Sequence, residues 1–479
     1  MNLDQQTLPP LQIISPIDGT VVKQLAMTHA NEVQETIEAA AVAQKTWASW
    51  APERRSEVIW NLGTLVERHA EEIAMLDVQC TGKVLRDAVA ETRRAARHAR
   101  YWAGMADKIY GQQLADVPGR LSYSKREPLG VYGVILPWNA PAHSFMARSM
   151  PPLACGNSVI VKPSELSPLS ALRICELAME AGFPQGLLHV LVGDGSIGGV
   201  LSSHPRVAGI SFTGSPGTGR RVLTAAAQTF KKVTLELGGK SPLIVFPDAD
   251  LDSAARAAVI GIMTNAGQIC AASSRLIVHE SIADEFVADV AQRMERVVVG
   301  NPMDPQTQVG PIVCQRQFDA VQSYIQAGQE EGAKLVTGGH KPRGMENSPG
   351  LYVAPTLFDA HDRQLKITRE EVFGPVLTVS RFETEQEAID LANNTEYGLA
   401  AYVWTRDVAR LIRVTDAIDA GVLHGNSTLV MDSGLPFGGF KGSGLGGAFG
   451  MDAVEGCTRT KRVTIRTSQG PLASPWPGI

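Results

Sequence analysis

From residue 158 onward, short β-branched runs alternate with helix-length amphipathic stretches, and few folds accommodate that alternation. "SVIVK" (158–162) is a strand candidate. "LSALRICELAMEA" is a helix stopped by Gly182 and Pro184, with Ser167 as its expected N-cap and Pro168 at its first position. "GLLHVLVG", "VAGISFTG" and "KVTLEL" are the next strands, separated by a short helix in "SIGGVLSSHP" and another from about Gly219 to Phe230. Strands joined through single helices at this spacing make βαβ units and a parallel sheet covered on both faces. Beyond residue 243 the pattern resumes with "LIVF", a helix through "DSAARAAVIGIMTNAG", and the strands "SRLIVHE", "GPVLTVSRF", "LAAYVWT" and "AGVLHG". Two α/β regions are therefore expected, meeting near Gly238-Gly239, and 479 residues suffice for both.

The flanks differ. Residues 31–108 are rich in Ala, Glu and Arg and read as a set of helices, while "GRLSYSKREPLGVYGVILP" (119–137) reads as a hairpin or arm around a Pro-Leu-Gly turn. The tail "QGPLASPWPGI" (469–479) holds too much proline and glycine for a helix. A net charge of −5 offers nothing to a polyanion, so no nucleic-acid partner is expected. No apolar run reaches the ~18 residues that a bilayer needs, and the first ten residues lack a secretory pattern, which argues for the cytoplasm and against a membrane partner. Six cysteines without a CxxC pair read as reduced thiols, and ten histidines without HExxH support no metal site.

Several short stretches carry chemistry when set beside their ordinary readings. In "ISFTGSPGTGR", Gly214, Gly217 and Gly219 lie between a strand and a helix, where backbone N–H groups and the helix dipole suit a phosphate. The spacing is not GxGxxG, and such turns also occur without a ligand. "VKPSE" places Lys162, Ser164 and Glu165 at a strand's carboxyl end, where parallel sheets bind ligands, although solvated loop charges look the same. Cys270 ends "NAGQIC" among small residues, as an inert buried cysteine would, and the other five cysteines are read that way. Alternatively its thiol is exposed at a helix start or against a ligand. Glu236 in "VTLELGG" is harder to place as structure, because a buried carboxylate is costly unless paired, wet or used. It fits best at a strand's mouth in reach of solvent, its pKa raised toward that of a general base. The amide of Asn139 in "LPWNAP" is a neutral oxyanion donor. Together the three describe acyl chemistry on sulfur.

In order along the chain stand "PWN" (137–139), "GNSVIVKPSE" (156–165), "FTGS" (212–215), "LELGGKSP" (235–242), "GQIC" (267–270), "EVFGPV" (371–376) and "NNTEYGLAAYVWT" (393–405), with "PFGGFKGSGLG" beyond. Over nearly its whole length the sequence resembles the NAD(P)-dependent aldehyde dehydrogenase superfamily. The resemblance implies an α/β fold: a Rossmann-like coenzyme domain (1–108 and 129–238), an α/β catalytic domain (239–437), and a small β oligomerisation arm with a C-terminal tail (109–128 and 455–479). It implies Cys270 as nucleophile, Glu236 as the base for deacylation, and Asn139 with the Cys270 N–H as oxyanion hole. It implies coenzyme contacts from Pro137, Trp138, Lys162, Ser164, Glu165, Gly214, Ser215, Gly219 and Gly238, with Glu371 and Phe373 at the nicotinamide ribose and ring, and Gly267 leaving room beside a mobile glutamate. Pro216 departs from the usual residue of that loop and removes one N–H donor.

The implied coenzyme is NAD, since Glu165 suits a free 2′-hydroxyl better than a 2′-phosphate, with NADP as the alternative. The implied partners are a small-molecule aldehyde and further copies of the chain, as a homodimer or homotetramer. The segment "GNSTLVMDSGLP" (425–436) resembles a substrate-entrance loop and carries Leu429, Val430 and Met431, with Asp432 its only charge. This favours a hydrophobic or aromatic aldehyde, unless Arg148 and His143 face the tunnel and supply positive charge for a semialdehyde. The rival classes are an NADP-preferring semialdehyde dehydrogenase and a cofactor-free thioesterase or esterase.

Overall fold

A computed structural model describes residues 9–115, 117–360, 364–472 and 475–476. The expectation drawn from the first ten residues falls almost wholly outside them, as does part of the tail. The chain opens with an antiparallel ribbon, β1 (Leu11–Ile14) and β2 (Val21–Leu25), followed by the four helices α1 (Ala30–Ser49), α2 (Pro52–Arg68), α3 (Ala70–Thr81) and α4 (Leu85–Met105). Then come β3 (Arg120–Pro128), β4 (Val131–Ile135), α5 (Pro141–Ala154), β5 (Ser158–Lys162), α6 (Leu169–Glu180), β6 (Leu188–Val190), α7 (Gly195–Ser203), β7 (Val207–Thr213), α8 (Pro216–Ala227) and β8 (Lys232–Glu236). Strands β4 to β8 form a parallel sheet in the order β8-β7-β4-β5-β6.

The chain then crosses to a second sheet through β9 (Pro242–Val245), α9 (Leu251–Met263), β10 (Arg275–His279), α10 (Glu280–Glu295), α11 (Gln315–Glu330), β11 (Lys334–Thr337), β12 (Thr356–Asp359), α12 (Lys366–Arg369) and β13 (Val376–Phe382). It continues through α13 (Glu385–Asn393), β14 (Tyr397–Gly398), β15 (Ala400–Trp404), α14 (Val408–Ala417) and β16 (Val422–Gly425). The order is β11-β12-β13-β10-β9-β15-β16, with only β11 antiparallel. Last are β17 (Phe440–Lys441), β18 (Gly444–Leu445), α15 (Gly450–Cys457) and β19 (Thr458–Arg466). β18 returns to the first sheet and pairs antiparallel with β8.

The crossing between sheets is tied by two buried cations. Lys240 Nζ donates to the Ile367 carbonyl at 2.7 Å, and Arg275 donates to the carbonyls of Lys240, Leu391 and Ala392, each at 2.8 Å. Burial pushes the Lys240 ammonium down to about 7.

Four sequence expectations need correction. Residues 119–137 are not a hairpin: β3 pairs with β19 from Arg120↔Arg466 to Pro128↔Thr458, whereas β4 lies between β5 and β7. The burial patterns give the reason. "VYGVI" is buried on both faces, as a central parallel strand requires, and β3 is only partly covered. Ser167 is not the N-cap of α6; Pro168 holds that position, and the Ser167 hydroxyl donates to the Trp138 carbonyl at 3.4 Å. Helix α8 begins at Pro216, three residues earlier than expected, because Ser215 caps it and proline suits the first helical turn. Helix α9 stops at Met263, since Asn265, Ala266 and Gly267 have φ of 52°, 55° and 73°.

Candidate active site

Four parallel strands deliver the predicted groups at their carboxyl ends. β4 leads to Pro137, Trp138 and Asn139, β5 to Lys162 through Glu165, β7 to Gly214 and Ser215, and β8 ends on Glu236. The second sheet supplies the rest, Cys270 just before β10 and Glu371 with Phe373 just before β13.

The three consecutive left-handed residues are the strained feature of this region, since such backbone disfavours residues with a Cβ. The turn is held by side chains: Asn265 Nδ2 donates to the carbonyls of Asn139 and Gln268, both at 3.2 Å, and Gln268 Nε2 returns a bond to the Asn265 carbonyl at 3.0 Å. A Cβ on Gly267 would lie 2.0 Å from the Gly374 carbonyl oxygen, so this glycine permits a close backbone contact. Cys270 follows in a turn, not at a helix start. It opens into a cavity of about 1400 Å³, counted to its solvent mouth, shared with Asn139. Asn139 Nδ2 gives one N–H to the Gln268 carbonyl at 2.9 Å, and an amide has a second to offer. Enclosure by protein, with the negative fields of Glu371 and Glu236, pushes the Cys270 thiol up to about 12.

Glu236 sits at the end of β8, paired with Thr213 of the cavity wall, but it does not touch solvent. It is 2% exposed, and neither carboxyl oxygen has a hydrogen-bond partner. β18 pairs with the edge of β8 that sequence alone leaves open, Gly444 opposite Glu236. Burial raises its pKa to about 8, against the opposing pull of Arg148.

The remaining residues form a separate group. Lys162 is buried with its ammonium 3.0 Å from Glu165 Oε2, and Ser164 Oγ accepts from the Leu166 N–H at 3.2 Å. Burial acts to raise the Glu165 pKa, but Lys162 and the local N–H bring it below the ordinary value. Ser215 Oγ accepts from the Thr218 N–H at 3.4 Å, while Pro216 occupies a position whose N–H would have no intrahelical partner. The missing donor is thus the only loss there. Gly214 and Gly219 pack against the side chains of Phe212 and Leu237. Glu371 Oε1 accepts from the Gly239 N–H at 3.0 Å, and a Cβ on Gly238 would strike its other oxygen at 2.1 Å. Burial raises Glu371 to about 7. The rings of Trp138 and Phe373 meet edge to face at 5.3 Å, Phe373 at a left-handed φ of 54°.

The aldehyde dehydrogenase family model matches residues 3–463. The chain belongs to the aldehyde dehydrogenase family. A betaine aldehyde dehydrogenase of Cereibacter sphaeroides is 40% identical over 475 residues, covering 99% of this chain and 97% of the relative. An aldehyde dehydrogenase of Davidiella tassiana is 40% identical over 457 residues, 95% and 91% of the two chains. Among solved structures, PnpE from a Pseudomonas species superposes with a TM-score of 0.95 at 38% identity, covering 98% of this chain and 96% of that one. The same protein in complex with nicotinamide adenine dinucleotide gives 0.94 at 39% identity, covering 96% and 95%.

For an aldehyde dehydrogenase read from sequence, the cavity wall held surprises. Asp87, Glu91 and Arg94 of α4, with Lys83 before it, line the same cavity as Cys270, as do Tyr402 and His424. The spacing of the three α4 residues matches one helix face, but a solvated face has the same pattern. Among the described residues no group of three or more His, Cys, Asp or Glu is placed to hold a metal, and no helix is long and apolar enough to cross a membrane. Of the cysteines read as inert, Cys175 and Cys314 are only partly buried.

Proposed function

We propose that this aldehyde dehydrogenase oxidises an aldehyde with an apolar or aromatic body to the carboxylic acid, with NAD as coenzyme, through a thiohemiacetal and a thioester on Cys270. The observation that carries the reading is the meeting of a cavity-facing thiol, an amide with a spare N–H, and a buried carboxyl left without a partner in reach of the thiol's field.

The residues fit the coenzyme. The capped start of α8 offers N–H groups to the pyrophosphate, Lys162 and Glu165 have the donor and acceptor for the adenosine ribose, and Glu371 with Phe373 and Trp138 suits the nicotinamide end. Ser164, Gly214, Gly219, Gly238 and Pro137 shape the backbone around them. Solved relatives in complex with NAD support the same choice. When bound, NAD would supply a hydride acceptor and a positively charged ring.

Cys270 gives its thiol proton to water in the cavity and attacks the carbonyl as thiolate, while the spare Asn139 N–H and the Cys270 N–H hold the oxyanion. After hydride leaves the carbon, the acyl group remains on sulfur. Glu236, once ionised, takes a proton from the water that hydrolyses the thioester. Leu429, Val430, Met431 and Phe437 on the cavity wall accommodate the apolar body.

In this reading residues 1–108 and 129–238 hold coenzyme, 239–437 perform the chemistry, and 109–128 with 455–479 assemble subunits through the free edges of the β3–β19 ribbon, giving a homodimer or homotetramer. Six free thiols suit the cytoplasm. Light scattering at the mass of a single chain would remove the assembly.

The deciding experiment is rapid mixing of Glu236→Gln with NAD and aldehyde. A single-turnover burst of NADH followed by turnover slowed by about 100-fold or more is expected, with acyl group trapped on Cys270. Cys270→Ala should give no NADH. A glutamine variant that binds NAD yet shows neither burst nor acyl-enzyme would place Glu236 before hydride transfer and overturn its role.

A further inference from the structure

Besides Leu429, Val430 and Met431, the cavity is lined by residues of α4 and α5, and that part of its wall is charged. Five ionic side chains line it: Lys83, Asp87, Glu91 and Arg94, with Arg148 from α5. Both acids have cationic neighbours. Glu91 pairs with Lys83, and Asp87 lies 3.3 Å from Arg86 Nε. The two guanidiniums are left over. Arg94 makes no ion pair among the described residues, and Arg148 Nη1 is buried without a hydrogen-bond partner. The Arg148 guanidinium carbon lies 5.8 Å from the centroid of the Phe449 ring.

His143 lies among these groups, one helical turn before Ala147 and Arg148 on α5. Its Nδ1 is buried and unpartnered. Burial, and then the fields of Arg94, Arg148 and Lys83, push its pKa down to about 3, which locates it where three positive fields converge. A neutral imidazole there still offers an N–H. Buried donors without acceptors are unfavourable, and a site holding an unmatched guanidinium, a free imidazole nitrogen and a second guanidinium at its mouth is complementary to a carboxylate.

The geometry points to a substrate that carries a carboxylate remote from its aldehyde, received by His143 and Arg94 with Arg148 beneath them, while its body lies along the apolar wall. The inference rests on Cys270 being the thiol that attacks the aldehyde. It refines the apolar body proposed above into that of a semialdehyde. Arg148 also holds down the pKa values of Glu236 and Cys270, so its replacement would slow every aldehyde and decide nothing. Arg94 is exposed at the mouth and suits the test.

The experiment compares 6-oxohexanoate with hexanal, and a longer and a shorter pair of the same kind, in the unaltered enzyme and in Arg94→Gln and Arg94→Lys. The unaltered enzyme should prefer the carboxylate of at least one pair by about 10-fold or more in kcat/KM. Arg94→Gln should remove most of that preference through KM, leaving the neutral aldehyde within about 2-fold, and Arg94→Lys should restore part of it. Equal or better use of the neutral member in every pair would overturn the inference, as would an Arg94→Gln loss equal for both members. NADH formation from hexanal without a carboxylate preference refutes only this subsite. No NADH from any aldehyde refutes the dehydrogenase reading itself.

Discussion

The Lys162–Glu165 and Ser215–Thr218 segments follow strands and the Asn265–Cys270 turn precedes one, and their polar groups stand in opposite conditions. In the first, Lys162 has Glu165, Ser164 has the Leu166 N–H and Ser215 has the Thr218 N–H. In the second, the backbone is left-handed over three residues, and nearby Glu236 has no partner for either oxygen. Local contacts suffice to build the first region, and a ligand must compete with them. The second is held in an unfavourable arrangement by the packing around it, which is how a fold keeps reactive groups available for a reaction.

The contrast breaks most sharply at Gly267. A Cβ there meets the Gly374 carbonyl oxygen at 2.0 Å in a φ that disfavours it, so Gly267→Ala should lose about 2–4 kcal/mol in denaturant unfolding and most of its activity. An alanine variant of ordinary stability would mean that the turn is not strained. Glu236 gives the next effect. Its carboxyl is held at about 8 when folded against the ordinary 4.5, so the fold loses stability as pH rises between those values and no further above. Glu236→Gln does not titrate, so its stability relative to the unaltered chain should climb by a few kcal/mol across that window, read as a widening Tm difference. A constant difference would show that the carboxyl is wet.

Coenzyme-side changes should be smaller. Glu165→Gln should raise the KM for NAD by roughly 10-fold and leave Tm nearly unchanged, because its ion pair with Lys162 is partly exposed. An unaltered KM would detach Glu165 from the ribose. Ser215→Ala removes a cap worth about 1 kcal/mol, with a KM effect of a few-fold. A loss of catalysis comparable to Gly267→Ala would erase the distinction between the two regions.

Thiol reactivity sharpens the same comparison. Since burial, with Glu371 and Glu236 nearby, holds Cys270 near 12, alkylation by iodoacetamide near neutral pH should be slow, and should speed up if NAD brings a positive charge beside it. Slower alkylation with NAD would signify simple shielding.

What the sequence determined by itself was local or repetitive: the alternation of strands and helices, the turn of sheets near Gly238-Gly239, and Cys270, Glu236 and Asn139 as candidates for the reactive set, because periodicity and residue chemistry are written within a few neighbouring positions. The tertiary structure decided what depends on distant partners. It took β4 away from β3 and gave β3 the distant β19, because burial on two faces needs neighbours that a hairpin cannot supply. It closed the edge of β8 with β18 and buried Glu236 with its oxygens unpaired. It also turned one face of α4 and one of α5 onto the Cys270 cavity, where Arg94, His143 and Arg148 meet although no local pattern links them. Whether a charged helix face meets water or a substrate is settled by what packs opposite it, and that information is spread over the whole chain.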